Sequence, residues 1–561
     1  MLLALLAAPS LLGAAKSDGI VAYALTPEIR NGELAALDVT VRLRADPSGV
    51  TKLALPDKDS GVSSLWRHLS DLTIDGAKAV QADDPAHRAV ISAPGAPLTI
   101  RYRVVSAFDH DPGVDDLDTY KPTIRPRWFW AYGEALFIHP EDGRRRATFT
   151  WTGAPKAFPF TSNLEHARGA PMPIDDLLQS VSVGGPDVQI FHREAGGAPV
   201  RVAEIGRYGF DGAAFADMAA RVIDGERRFW GGREGPFLVA LGPLVPSPGV
   251  RSVRGEGRGD AFALMTTTDA PLEFLKATLA HEYFHTWNPL RLGGLAAGDA
   301  QRADYWFSEG FTDFYARRLL LRMGAFTPDA FATAWNEKLR AYAVSPVRSE
   351  PNARIVQDFW RNHDVEALPY QRGAILAATF DQRLRALSGG KIGLDAVMLT
   401  MRDRAAADGP KSPKAPNLFV ETARRFGLDP APDIAAVIDR GEPAVLPEDA
   451  FGPCFKVRTL TTPTFDRGFD IEATIRTHTL AGVKPSSPAY AAGLRDGMPL
   501  LKLIGGVYGD SRAPYTVVVR DGGAELTIVY KPEGEGRMTF QEVQTTTAAA
   551  GPEASRCAGG V

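Results

Sequence analysis

The residues best placed to do chemistry are His281, Glu282 and His285, in the run His281-Glu282-Tyr283-Phe284-His285. On a helix, positions i and i+4 share one face one turn apart, so both imidazoles can reach a single metal ion. Glu282 lies beside the first, where a carboxylate can meet a metal-bound water. The chain has only ten histidines in 561 residues, which makes a chance coincidence of this spacing rare. A catalytic zinc takes three protein ligands and keeps one position open. Glu309, in Trp306-Phe307-Ser308-Glu309-Gly310-Phe311-Thr312-Asp313, is the only Glu between His285 and Glu337 and is the expected third ligand. Asp313 lies one turn further along. It is either the acceptor for the free ring N–H of a ligand histidine or part of a solvated acidic face.

Such a zinc ion polarises a scissile carbonyl and brings the pKa of its water to about 7. Glu282 would take that water's proton and pass it to the leaving amine. The oxyanion of the tetrahedral intermediate needs a further donor. Tyr370, in Leu368-Pro369-Tyr370-Gln371-Arg372-Gly373, is either that donor or a packing tyrosine at a helix start.

These side chains must be carried by two helices. The first is predicted from a cap at Asp269, with Pro271 in its first turn, to Asn288, where Pro289 cannot continue it. A loop with Gly293, Gly294 and Gly298 lets the chain turn back. The second helix is expected over 305–322, stopping at Gly324. Upstream, the pattern predicts a strand over 188–192, a helix over 211–230, and strands over 236–241 and 261–265. The glycines of 254–260 neither precede a helix nor have phosphate-loop spacing, which excludes nucleotide binding there. Further helices are expected over 328–343, 369–387, 394–406 and 417–426.

Residues 1–15 form a short apolar run ending in small residues, with Gly13 and Ala15 fitting a signal-peptidase site, so an exported, periplasmic protein is expected. No Cys lies near that point to carry a lipid. Residues 16–168 alternate apolar and polar residues in short runs, which predicts a β-sandwich-like domain. The catalytic domain spans 169–440, a Pro-rich linker 441–465, a small α/β unit 466–545, and a low-complexity tail expected to be disordered 546–561. A net charge of −4 gives no reason to expect nucleic acid. No later segment has eighteen consecutive apolar residues to span a membrane. Only Cys454 and Cys557 are present, which excludes a disulfide framework but leaves the two able to pair in an oxidising compartment.

The two site segments resemble the glycyl-aminopeptidase family of zinc metallopeptidases, which are gluzincins. The family implies a multidomain α+β chain: a β-rich domain, a thermolysin-like and mostly α catalytic domain, and a C-terminal PDZ domain. Tyr132-Gly133-Glu134-Ala135-Leu136-Phe137-Ile138-His139-Pro140 is similar to a strand of the family's N-terminal domain. Pro369-Tyr370-Gln371-Arg372-Gly373 resembles the segment that carries the oxyanion tyrosine in the related aminopeptidase N family. Lys484 to Gly497 resembles a PDZ domain, whose peptide-carboxylate loop would fall near Arg467-Gly468-Phe469-Asp470-Ile471; Asp470 departs from the usual pattern there. Where family members carry Gly-Gly-Leu-Glu-His-Arg, this chain has Arg254-Gly255-Glu256-Gly257-Arg258. Glu256 is then either the partner of a substrate's α-ammonium or an exposed turn glutamate. The resemblance implies an aminopeptidase preferring N-terminal Gly or Ala, with peptide substrates and a peptide or protein ligand for the PDZ domain. The alternatives are an exported endopeptidase and a non-catalytic PDZ and zinc peptide-binding protein.

Overall fold

The structure is a computed structural model. It describes residues 19–547, apart from 115, 117, 118, 157, 233, 234, 248 and 249, together with Cys557. The segment expected to be a signal peptide and most of the tail lie outside the described residues.

The chain forms two compact units, Met1–His110 with Asp118–Val188, and Asp111–Leu117 with Gln189–Val561. In the first unit, alternation of apolar and polar residues produces half-buried strands. Glu33–Arg44 buries Leu37, Val39, Val41 and Leu43 and turns Asp38 and Arg42 outward. Its strands make a six-stranded and two four-stranded sheets around one apolar core. This unit runs past the expected 168 boundary. The reason is pairing: Val181–Gly184 joins both Phe160–Ser162 and Trp128–Tyr132 in one sheet.

The second unit opens on a five-stranded mixed sheet. Its order is Val188–Ala195, Ala198–Ile205, Phe237–Leu244, Ala261–Thr267 and Val253–Arg258. The central strands are buried on both faces and read as continuous apolar runs. Val253–Arg258 pairs antiparallel with Ala261–Thr267 and is left as the edge. Helix Gly212–Trp230, capped by the Asp211 side chain, packs its buried Phe215, Ala219, Val222 and Ile223 into the core under the sheet.

The helices Leu272–Phe284, Tyr305–Arg322, Pro328–Val344 and His363–Leu387 follow. Two differ from expectation. The first begins after Pro271 without an Asp269 cap and ends at Phe284; the chain continues through Asn288 as turns. The fourth begins at His363, not 369, because the Asn362 side chain caps it by accepting from Val365 N–H, which leaves Pro369 inside the helix. No helix among the described residues is long and apolar enough to cross a membrane.

The expected linker 441–465 is also corrected. Its second half is the strand Phe455–Phe465, paired along its length with Glu533–Thr545. Pro463 is tolerated because the pairing register shifts between Pro463 and Phe465. Asn336 on the third helix bonds both main-chain groups of Val543, which ties this ribbon to the helical core. Leu500–Gly505, Tyr515–Asp521 and Ala524–Tyr530 form a separate three-stranded sheet with its own core around Leu480, Leu494 and Val517. Cys454 and Cys557 are joined by a disulfide and both are buried, so this part of the tail is fixed.

Candidate active site

The His-bearing helix is held by its apolar face. Leu275, Leu279, Tyr283 and Phe284 are fully buried, and Tyr283 Oη accepts from Arg227 Nε at 2.6 Å. The opposite face presents His281 and His285. The Tyr305–Arg322 helix presents Glu309 to them. The three ligand atoms form a near-regular triangle. The two Nε2 atoms are 3.0 Å apart, and each is 3.2 Å from Glu309 Oε2. A tetrahedral zinc bound at about 2.0–2.1 Å holds its ligands roughly 3.3 Å apart, so this triangle is the size that such an ion needs. Two imidazoles and a carboxylate are also the donor chemistry that zinc takes. These three residues form a group able to hold a metal ion, and no other was found among the described residues.

The surroundings favour a positive charge at this point. Burial disfavours a protonated His281, yet its bonds to Asp313 and Glu309 outweigh that and raise its pKa to about 10. Burial likewise opposes ionisation of Glu309, but His285 and His281 hold its carboxyl well below the usual range. In chemical terms, carboxylates stabilise whatever cation sits among the ligands, whether a proton or a metal.

Each imidazole has its second nitrogen engaged. His281 Nδ1 lies 3.5 Å from Asp313 Oδ1. Asp313 also receives Arg317 Nη1 at 2.5 Å and pairs with Lys338. His285 Nδ1 lies 2.8 Å from the main-chain oxygen of Asn288. The fully buried Asn288 side chain donates onward to Ser308 O at 3.1 Å and Thr312 Oγ1 at 3.0 Å. It thereby stitches the two site helices together. Asn288 and Lys338 were not singled out from the sequence. Asn288 stands three residues after a ligand histidine, which was its only signal; Lys338 had none.

Glu282 faces the edge strand. Burial raises its pKa, against the opposing pull of His281 and His285. A Cβ at Gly255 would come within 2.7 Å of Glu282 Oε1, so the glycine makes room for that carboxylate. Strand alternation turns Glu256 to the opposite face from Gly255. There Glu256 Oε1 lies 3.5 Å from Arg258 Nη2, in electrostatic reach of Tyr305, whose phenol burial and nearby Glu309 push up to about 12. It lies on the strand that borders the site.

Tyr370 stacks on His281 with ring centroids 5.6 Å apart. Burial, with Glu309 and Glu282 nearby, raises its pKa well above the ordinary value, so its hydroxyl stays a donor. Its helix comes this close because Gly310 and Gly373 face each other. A Cβ on either would run into the other helix's backbone. A cavity of about 380 Å³ opens beside Tyr370, walled by Ala334, Ala341, Ala367, Lys338 and Gln371.

Two imidazoles one turn apart, a third ligand from a second helix and a carboxylate beside them define a zinc hydrolase site with glutamate as third ligand. Residues 274–362, which hold His281, His285 and Glu309, match the M61 glycyl aminopeptidase family. This chain is a zinc metallopeptidase. Its fold is similar to that of an aminopeptidase N family protein from Idiomarina loihiensis, at 16% identity and a TM-score of 0.64, covering 96% of this chain and 99% of that one. An M1 zinc metallopeptidase from Deinococcus radiodurans matches over 76% of this chain and 95% of its own, at 18% identity and a TM-score of 0.46. Among curated protein sequences, none matches.

Proposed function

We propose that the protein is an exported zinc aminopeptidase that removes small N-terminal residues, Gly or Ala, from peptides. The observation that carries this reading is the ligand triangle of His281, His285 and Glu309 with Glu282 beside it. When bound there, zinc supplies a Lewis acid that acidifies water and polarises a carbonyl. Glu282 takes the proton of the attacking water and delivers it to the leaving amine; its raised pKa suits both steps. The Tyr370 hydroxyl donates to the developing oxyanion. Asp313 and the Asn288 carbonyl fix the two imidazoles in the tautomer that leaves Nε2 for the metal. The strand Val253–Arg258, last in its sheet, borders the site, and an extended peptide can lie along it. Glu256 on that strand is the candidate partner for the substrate's α-ammonium, and the M61 match supports the preference for small residues.

Export is supported by the Cys454–Cys557 disulfide, since disulfides persist in oxidising compartments. For the C-terminal region the support is mixed. Residues 466–545 have a core of their own, as a PDZ domain would. However, Ile471–Thr477, where a peptide-pairing strand would follow the carboxylate loop, is a helix, and Asp470 caps it by accepting from Ala473 N–H.

Mass spectrometry of a digested peptide library tests the reading. Stepwise release of single N-terminal Gly and Ala, blocked by N-terminal acetylation, is expected. Internal fragments from acetylated peptides would show an endopeptidase instead.

A further inference from the structure

Lys338 lies in the interior of the Pro328–Val344 helix, with only 8% of its side chain exposed. Burying an ammonium is costly, and replacing a buried ion pair by well-packed apolar side chains is often neutral or stabilising. Fold stability alone therefore does not explain it. Its contacts do suggest a role. The ammonium pairs with Asp313 Oδ2 on one helix and donates to the main-chain oxygen of Tyr370 on another at 3.3 Å. Asp313 in turn faces His281 Nδ1, and Tyr370 stacks on the same imidazole. Arg317 also bonds Asp313, but from within the same helix. Lys338 is thus the group that joins the support of a metal ligand to the oxyanion tyrosine.

We propose that Lys338 is a positioning residue for hydrolysis: it clamps Asp313 and the Tyr370 main chain at a fixed separation around His281. This rests on the reading of His281 as a zinc ligand and Tyr370 as the oxyanion donor. Loss of the clamp frees Asp313 to turn toward Arg317 and lets Tyr370 drift from the reacting carbonyl.

The test uses the full-length zinc-loaded protein and its Lys338→Met variant, with two readouts. Zinc transfer to a chelator reports the Asp313 arm without reference to activity. An affinity loss of about 10-fold is expected, the lower end for support residues of metal ligands. At saturating zinc, kcat is expected to fall about 10-fold with KM within twofold, because the Tyr370 contact is made in the transition state. In the Tyr370→Phe background the kcat loss should shrink below twofold, since the two residues act as one unit. Lys338→Gln, which keeps a donor for Tyr370 O and loses the charge, should recover more kcat than zinc affinity. It also serves as the test variant if Lys338→Met does not fold. The proposal is overturned by unchanged zinc transfer together with unchanged kcat, or by equal kcat losses in the wild-type and Tyr370→Phe backgrounds. Failure of the hydrolytic reading looks different: Glu282→Gln would then cleave peptides normally, while zinc transfer would still judge Lys338.

Discussion

The two flanks of the metal site hold chemically identical ligands by opposite means. His281 is backed by charge: Asp313, with Arg317 and Lys338 behind it. His285 is backed by a main-chain carbonyl, that of Asn288, whose neutral side chain fastens the turn to the neighbouring helix. A carboxylate raises ligand basicity and depends on a side chain. A carbonyl fixes orientation and survives any substitution of its own residue. On the proposed mechanism the first flank would tune the metal, and the second keeps the two helices in register.

That contrast is open to direct attack. Asp313→Ala should weaken zinc binding by about 10- to 100-fold, as losses of such support residues do. Asn288→Ala should cost less zinc affinity, because the accepting atom remains, but should lower unfolding stability by about 1–3 kcal/mol through buried groups left unpaired. Chelator competition and urea melts on both variants check this. A larger zinc loss in Asn288→Ala than in Asp313→Ala would reverse the assignment.

A sharper probe of the charged flank is Gly373→Ala. Its Cβ would meet the backbone of the Glu309 helix. Overpacking of this kind costs about 1–3 kcal/mol, and because the shift falls between Tyr370 and Glu309, kcat should drop along with Tm. Unchanged thermal melting would contradict the close approach of the two helices.

The smallest effect concerns Glu226. It is fully buried, neither carboxyl oxygen has a hydrogen-bond partner, and burial raises its pKa well above the ordinary value, against a pull from nearby His281. Native protein therefore keeps a proton that the unfolded chain releases near pH 4.3. Stability should fall as pH rises from there toward the folded pKa. Glu226→Gln should remove that fall, so that the variant gains on the wild type in melts at pH 8 relative to pH 5. Parallel pH profiles would contradict it.

The difference between the flanks also marks how far the sequence could be read. His281, Glu282 and His285 are fixed by helical spacing alone, and the helix carrying Glu309 falls on residues 305–322 as its pattern predicts. Asp313 was reachable because it lies one turn beyond Glu309. Lys338 and Gly255 act through contacts between distant elements, and the Asn288 carbonyl, though only three residues from His285, is a main-chain acceptor that leaves no residue-type signal. The start of the Tyr370 helix was masked by Pro369, a common breaker that this helix accommodates after a capped first turn. Pro463 hid a strand in the same way, because a bulge absorbs its missing N–H.

On the proposed mechanism, Glu282 moves the proton for hydrolysis at a zinc ion held by His281, His285 and Glu309. Glu282→Gln keeps the side chain's size and removes its basicity. Peptide hydrolysis by the zinc-loaded variant is the direct measurement. Zinc binding close to wild type is expected, with kcat reduced by about 10²- to 10⁴-fold. Wild-type hydrolysis by that variant would contradict it.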